Sequence, residues 1–439
     1  MHQSGWFQRM ARWLTCALMV FSVVSVLAPD ASAQRVPPTA PWGNGTSNPQ
    51  DLKIILVTIG PGDDVASWFG HTAIAVEDTR LGVRRAYNYG MFSFDSTVVP
   101  KYIMGRLEFW VGVVPFDPML RFYKKLDRDV RLLELNLPPE KRAAIAQALE
   151  DNIRPENRDY LYHHYDDNCA TRIRDIIDLG TEGQFEEYSK KPAAHNLRGH
   201  TLRHAAITLL GYGMMYAETS SIDGEITAWE EMFLPSELER HALAFKYKTP
   251  DGEEIPLAGK QTIYYEAKDR APTPDEPSFL YHWMLFWGLL AGGLGLLFIR
   301  QYHVTSARAW RVLAGFHSAF IGFSFGGMGI IILLAWIFTD HTVMAHNENL
   351  FFTNPVTFLL FPVGLMFAFG SKRAKSWLPK LWILLCGIGL LGVLVKPLPW
   401  FDQHNYLTML MCMIMLGMMA FASKKFLLED ATDKAPEKQ

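Results

Sequence analysis

The apolar positions of the chain fall into two regimes. After about Glu276 they run nearly unbroken; before it they alternate or recur at short intervals. The C-terminal runs are Phe279–Ile299, Val312–Phe338, Pro355–Gly370, Leu381–Val395 and Tyr406–Ala422. About 20 apolar residues carry a helix across the hydrocarbon core, so five transmembrane helices are predicted, the third and fourth short unless their flanks contribute. In the earlier part, Lys53–Ile59 is a β-branched run and reads as a strand. Thr72–Val76 and Val83–Tyr89 suit a hairpin, and Phe109–Val114 and Val130–Leu137 are further strands. Pro138-Pro139-Glu140 opens an Ala-rich helix toward Asp151, and Ile173, Ile176 and Ile177 recur at helical spacing between Thr171 and Leu179. Thr39 to Asp51 reads as an extended lead-in, and Thr249–Pro277 as mixed strand and linker. The pattern is α+β, without internal repeats, followed by an all-α membrane bundle.

A further apolar run, Leu14 to Leu27, follows Arg9 and Arg12 and precedes Ala31-Ser32-Ala33. That is the layout of a secretory signal, with cleavage leaving Gln34 first. Charge in the loops tests the topology independently. Arg300, Arg308 and Arg311 separate the first two runs, Lys372, Arg373, Lys375 and Lys380 the third and fourth, and Lys424 and Lys425 follow the fifth. The other two loops are nearly free of Lys and Arg, apart from Lys396. Alternate loops are therefore basic, which places the tail in the cytoplasm and the N-terminal region outside it. The expected division is a leader over 1–33, an exported domain over 34–277, a membrane domain over 278–425 and a tail over 426–439. The expected location is the inner membrane of a bacterial envelope. Composition adds little: a net charge of −3 from 42 Lys and Arg against 45 Asp and Glu offers no basic excess for nucleic acid.

The chemistry centres on cysteine. Cys16 goes with the leader, and Cys386 and Cys412 lie in apolar runs, where a thiol is a small hydrophobe. Cys169 is alone in the exported domain, so it is inert, paired with another chain or kept for reactivity. Polar residues crowd up to it in Tyr162-His163-His164-Tyr165-Asp166-Asp167-Asn168-Cys169, and a helix begins directly after it. Asp167 or Asn168 would cap that helix, leaving the thiol in the first turn, where the dipole favours thiolate. His71, opening a strand, is the best base; His163 and His164 are nearer in sequence but precede the helix. One cysteine without a spaced ligand pair argues against zinc, and no metal or cofactor is expected.

Gly70-His71-Thr72-Ala73, Tyr87-Asn88-Tyr89-Gly90 and Asp167-Asn168-Cys169-Ala170-Thr171-Arg172-Ile173-Arg174-Asp175 together resemble the Lnb N-terminal periplasmic domain family. The resemblance runs from about Leu52 to Leu243 and includes Pro235-Ser236-Glu237-Leu238; the loop His341–Asn354 is also similar to that family's. It implies a permuted NlpC/P60-like (papain-like) fold, with the histidine strand before the cysteine helix. It implies a lipoprotein N-acyltransferase, taking an acyl chain from a phospholipid and giving it to the α-amine of a diacylglyceryl-cysteine lipoprotein. Cys169 would then be the nucleophile and His71 its base. Asn88 or Tyr89 would orient His71 or bind substrate, with Asp167 and Asn168 in support. Two other readings use the same residues: a cysteine peptidase or amidase acting on peptidoglycan, and an envelope scaffold with an inert thiol.

Remaining polar clusters carry plainer readings. Asp223, Glu225, Glu230 and Glu231 read as a solvated face rather than a metal site. His195, His200 and His204, with Arg198 and Arg203, read as a surface helix, or else as a patch for phospholipid headgroups. His317 within a span is a functional candidate by position, although packing against a neighbouring helix explains it equally.

Overall fold

The computed structural model describes residues 38–92, 97–205, 209–249, 251–277 and 283–429. The leader, its cleavage site and Cys16 lie outside the described residues, as does the tail from 430. Among the described residues there are nine strands: β1 Leu52–Ile59, β2 His71–Asp78, β3 Val83–Met91, β4 Glu108–Val114, β5 Val130–Leu135, β6 Asp159–Leu161, β7 Lys246–Lys248, β8 Glu254–Pro256 and β9 Ala258–Tyr265. The first nine helices are α1 Val98–Ile103, α2 Phe116–Lys125, α3 Pro139–Asn152, α4 Cys169–Thr181, α5 Gln184–Tyr188, α6 Leu197–Ala205, α7 Leu209–Ala217, α8 Ala228–Glu231 and α9 Pro235–Ala244. Five more follow: α10 Trp283–Thr305, α11 Arg308–Phe338, α12 Leu360–Ala368, α13 Lys372–Val395 and α14 Tyr406–Leu428.

The chain packs as two units that do not meet at a single cut. The first takes in residues up to Gly60, then Gly70–Tyr188 and Met232–Lys268. The second takes in Pro61–Phe69, Ser189–Glu231 and everything from Asp269. The linear division at residue 277 therefore differs from the packing, because residues 189–231 are built into the same unit as the membrane helices.

The first unit is a seven-stranded antiparallel sheet in the order β6-β4-β3-β2-β1-β5-β9. β1 and β2 are buried along nearly their whole length, since helices cover both faces. On one face Ile55, Val57, Ile59, Ala73, Ala75 and Ala86 meet Phe116, Met119 and Leu120 of α2. On the other α3 and α4 pack together, with Ile145 against the backbone of Gly180. The residues between Thr39 and Asp51 are more ordered than an extended lead-in. Buried Glu150 of α3 accepts the Ala40 N–H at 3.0 Å and the Tyr87 hydroxyl, and Trp42 Nε1 donates to that hydroxyl at 2.8 Å.

In the second unit, α10, α11, α13 and α14 are long and apolar enough to cross a membrane. Where the third span is expected there is no single long helix: residues 342–351 and 355–368 form helical pieces bent by 56° at the break, the geometry of a broken span or a re-entrant loop. Their seat is the glycine face of α11. A Cβ at Gly322 would lie 2.3 Å from the Phe361 nitrogen, and one at Gly326 would lie 2.2 Å from that of Phe358. Small residues let the two backbones approach, as between membrane helices generally. His317 donates from Nε2 to the Ala291 carbonyl at 2.9 Å, a packing role.

The helix α6 departs from both sequence readings, because it is buried rather than surface-lying. Arg198 pairs with buried Asp223 and donates to the carbonyls of Met215, Glu218 and Thr219. His200 bonds Glu231 at 3.0 Å, and His204 donates to the Trp68 carbonyl at 3.0 Å. Asp223 and Glu231 are accordingly buried partners of cations and imidazoles, not a solvated face. The loop His341–Asn354 is tied into the same unit: Asn347 and Asn349 donate to the Tyr216 carbonyl, and Lys396 pairs with Glu348 at 2.5 Å.

Candidate active site

His71 opens β2, opposite Ile59 at the end of β1. The residue before it, Gly70, has φ of +82°, and a Cβ there would come 2.8 Å from the Ile59 carbonyl oxygen. Only glycine fits, and this tight turn sets where the imidazole starts. One strand over, the Asn88 amide oxygen lies 2.7 Å from His71 Nε2. An amide oxygen can only accept, so the proton sits on Nε2 and the lone pair on Nδ1. Tyr89, next along β3, points to the opposite face of the sheet, as strand alternation requires. Its hydroxyl accepts from Asn152 at 2.8 Å.

Cys169 is the first residue of α4. Asn168 is the cap: its side-chain oxygen accepts from Ala170 N at 2.7 Å and Thr171 N at 3.1 Å, while its own N–H donates to Thr171 Oγ1 at 2.8 Å. The Asn168 amide also donates to the carbonyls of His164 at 2.6 Å and Phe233 at 3.0 Å. The whole start of the helix is thereby pinned. Asp167 grips Arg172 with both carboxylate oxygens, at 2.5 and 2.7 Å, and Arg172 lies over the Tyr160 ring.

Gly90 lies beside both candidate side chains, Cys169 and His71. It sits in the irregular stretch of β3 between Asn88 and Met91, with φ of +91°. A Cβ there would lie 3.9 Å from Cys169 Cβ, 4.0 Å from His71 Cε1 and 3.8 Å from the Phe109 ring. With no side chain at Gly90, a gap is left beside both Cys169 Cβ and His71 Cε1. Both residues are part-exposed, so the gap has access from outside. His163 and His164 are elsewhere: His163 pairs with Asp166 at 2.9 Å, and His164 packs against Tyr165 and Phe233.

The electrostatics correct one expectation. Burial pushes the Cys169 thiol up to about 11, although backbone N–H groups of Thr72, Cys169 and Ala170 and the charge of Arg128 act to lower it. The helix N-terminus therefore does not leave a free thiolate; desolvation outweighs it. Burial also lowers His71 to about 4, against the pull of the Asn88 bond and with help from Arg128. At neutral pH the resting pair is a neutral thiol and a neutral imidazole.

Arg128 and the surrounding aromatics were not legible as site residues. Arg128 is buried, donates from Nε to the Gly60 carbonyl at 2.8 Å and lies 5.1 Å from the Tyr123 ring centroid. Tyr123 in turn lies 6.0 Å from the His71 ring. On the other side, Tyr162 stacks on Phe109 at 4.3 Å, and Phe109 on Phe92 at 5.0 Å. Burial raises the hydroxyls of Tyr123, Tyr160 and Tyr162, and the nearby Cys169 sulfur raises each further. Cys169 and His71 thus lie among aromatic rings, with the buried Arg128 acting electrostatically on both.

Residues 38–201 match the family model described as the Lnb N-terminal periplasmic domain. No curated protein and no solved structure matches the chain.

Proposed function

We propose, from the match of residues 38–201 to the Lnb N-terminal periplasmic domain, that this multi-pass membrane protein is a lipoprotein N-acyltransferase with a Cys169 nucleophile. The observation that supports the proposal is that Cys169, at a helix start, and His71, with Asn88 on Nε2 of its imidazole, both border the space beside Gly90. That tautomer leaves Nδ1 to take the thiol proton as the sulfur attacks the ester carbonyl of a phospholipid. The oxyanion formed is met by the backbone N–H of Cys169 at the helix start. When the carbon–oxygen bond breaks, His71 returns the proton to the departing lysophospholipid hydroxyl, and a thioester remains. The α-amine of the diacylated lipoprotein then attacks the thioester. His71 takes a proton from nitrogen, the amide forms, and the sulfur leaves as thiol with that proton. Because amine must outcompete water, the aromatic wall of Phe92, Phe109, Tyr123 and Tyr162 serves the chemistry by keeping the thioester dry.

The test uses full-length protein in detergent with phospholipid and a synthetic diacylated lipopeptide bearing a free α-amine. Mass spectrometry is expected to show one added acyl chain on the peptide, absent with Cys169→Ala and with His71→Ala. No gain from folded protein across a range of donor lipids would overturn the proposal and direct the same two variants to peptidoglycan fragments.

A further inference from the structure

The space beside Gly90 has a third border besides Cys169 and His71, and it is apolar. A Cβ at Gly90 would lie 3.8 Å from Phe109 Cδ2, as near as to either of the other two. Phe109 stands on β4 opposite Tyr160 of β6, and three rings fix its plane. Phe92 stacks on it at 5.0 Å with 12° between the planes, Tyr162 at 4.3 Å with 28°, and Tyr160 stands edge-on at 6.3 Å. Phe92, Phe109 and Tyr162 are each half-buried, so part of the stack stays open to a ligand. The Tyr162 hydroxyl is engaged with His164 Nδ1 at 3.3 Å, and what these rings offer a ligand is carbon. The His71 side differs. There Asn88 holds Nε2 at 2.7 Å, and Tyr123 lies 6.0 Å from the imidazole with Arg128 over its ring. The space is thus bordered by hydrocarbon at Phe109 and by a hydrogen-bonding group at His71.

An acyl ester has two ends of matching character, a hydrocarbon chain and a leaving oxygen. In the reaction proposed above His71 returns the proton to that oxygen, so the oxygen belongs on the imidazole side and the chain on the other. We propose that Phe109, held by Phe92 and Tyr162, is the acyl-chain subsite, with the methylenes next to the scissile carbonyl lying on its ring. A chain branched at the α-carbon is then disfavoured, because the ring is clamped and cannot move aside. A peptide segment is disfavoured as well, since its N–H and C=O groups would be buried against carbon without partners. The inference rests on the acyl-transfer reading of the site and adds which part of the donor is read, and by which residue.

The experiment reads the subsite without reading acyl transfer. Full-length protein in detergent is treated with S-alkyl methanethiosulfonates carrying methyl, butyl or hexyl groups. Each places its alkyl group on a cysteine sulfur as a mixed disulfide and releases methanesulfinate. Modification of Cys169 is followed by mass spectrometry of its peptide. Comparing the hexyl-to-methyl rate ratio of a variant with that of the wild type cancels partition of the reagents into detergent. Burial of a methylene is worth at most about fourfold, so Phe109→Ala should lower the ratio about tenfold or more, and Phe109→Leu, which keeps an apolar contact, much less. Phe92→Ala removes one supporting ring, should lower the ratio by a smaller factor, and replaces Phe109→Ala if that variant does not fold. The same variants are then given a palmitoyl phospholipid in competition with its α-methyl-branched analogue, together with the diacylated lipopeptide. The preference for the straight chain should be lost with Phe109→Ala. A hexyl-to-methyl ratio unchanged from wild type in the folded variants would overturn the subsite, whether or not acyl transfer occurs. A lowered ratio without acyl transfer to the lipopeptide would uphold the apolar subsite and refute the transferase reading alone.

Discussion

The state of the Cys169 thiol before substrate arrives is the sharpest prediction. Burial moves it from 9.0 to about 11, so at pH 7 the thiolate fraction falls about 100-fold below that of an unperturbed cysteine. A more basic thiolate is a better nucleophile; with a Brønsted slope of about 0.5, two units return roughly tenfold. The net expectation is exchange with a small disulfide reagent about tenfold slower at pH 7 than for an exposed cysteine. The shape of the pH profile is more decisive than the rate. With His71 lowered to about 4, the imidazole is neutral through the whole working range and holds no proton to stabilise a thiolate. The logarithm of the exchange rate should therefore climb with unit slope from pH 5 to pH 10 without a plateau. The measurement uses protein bearing Cys386→Ala and Cys412→Ala, followed by release of the reagent's chromophore. His71→Ala should leave the slope unchanged. A plateau between pH 5 and 8 that disappears in His71→Ala would mean a resting thiolate–imidazolium pair, and the argument that desolvation defeats the helix N-terminus would be wrong.

Three further outcomes follow from the same geometry. Asn88→Ala removes the bond that fixes the tautomer, so kcat for acyl transfer should fall by about tenfold or more with KM little changed, as read by steady-state kinetics. Because His71 charges only near 4, acyl transfer should hold down to mildly acid pH and decline only toward pH 4; a midpoint near 6.5 in the kcat/KM profile would mean the imidazole is not desolvated. Glu150→Ala leaves the Tyr87 hydroxyl, the Ala40 N–H and Arg85 without their shared acceptor, at a cost of about 3–5 kcal/mol, seen as a lower thermal midpoint in detergent, while Glu150→Gln should lose much less.

Much of the first unit is visible in local pattern because local physics decides it. The β2–β3 hairpin follows from alternation and the start of α4 from a good cap before an apolar stripe; in the second unit, the long apolar helices follow from unbroken apolar runs. The bent helical pair over 342–368 is where that logic stops: its run is apolar enough, but its seat is the glycine face of a different helix. The same holds for β9, which pairs with β5 from more than a hundred residues away. It holds again for α6, whose histidines and arginines look solvated in sequence because Asp223 and Glu231, their partners, come later in the chain.

The site divides in the same way. The placement of Cys169 at a helix start and His71 at a strand start is readable residue by residue, but their reactivity is not, since it depends on what surrounds them. Cap and dipole argue for a thiolate; the aromatic wall argues against, and burial is the larger effect. Arg128 shows the point most directly. In sequence it is one arginine in a charged turn between α2 and β5. In the fold it donates to Gly60, lies beside Tyr123 and acts electrostatically on both members of the reactive pair, lowering each. A cation so placed favours the thiolate and opposes the imidazolium at once. It therefore assists the proton's departure from sulfur while weakening its acceptance by nitrogen. On the proposed function, the pair is kept from transferring the proton at rest and would do so only when a substrate carbonyl draws charge off the sulfur, the behaviour that a thioester waiting for an amine requires.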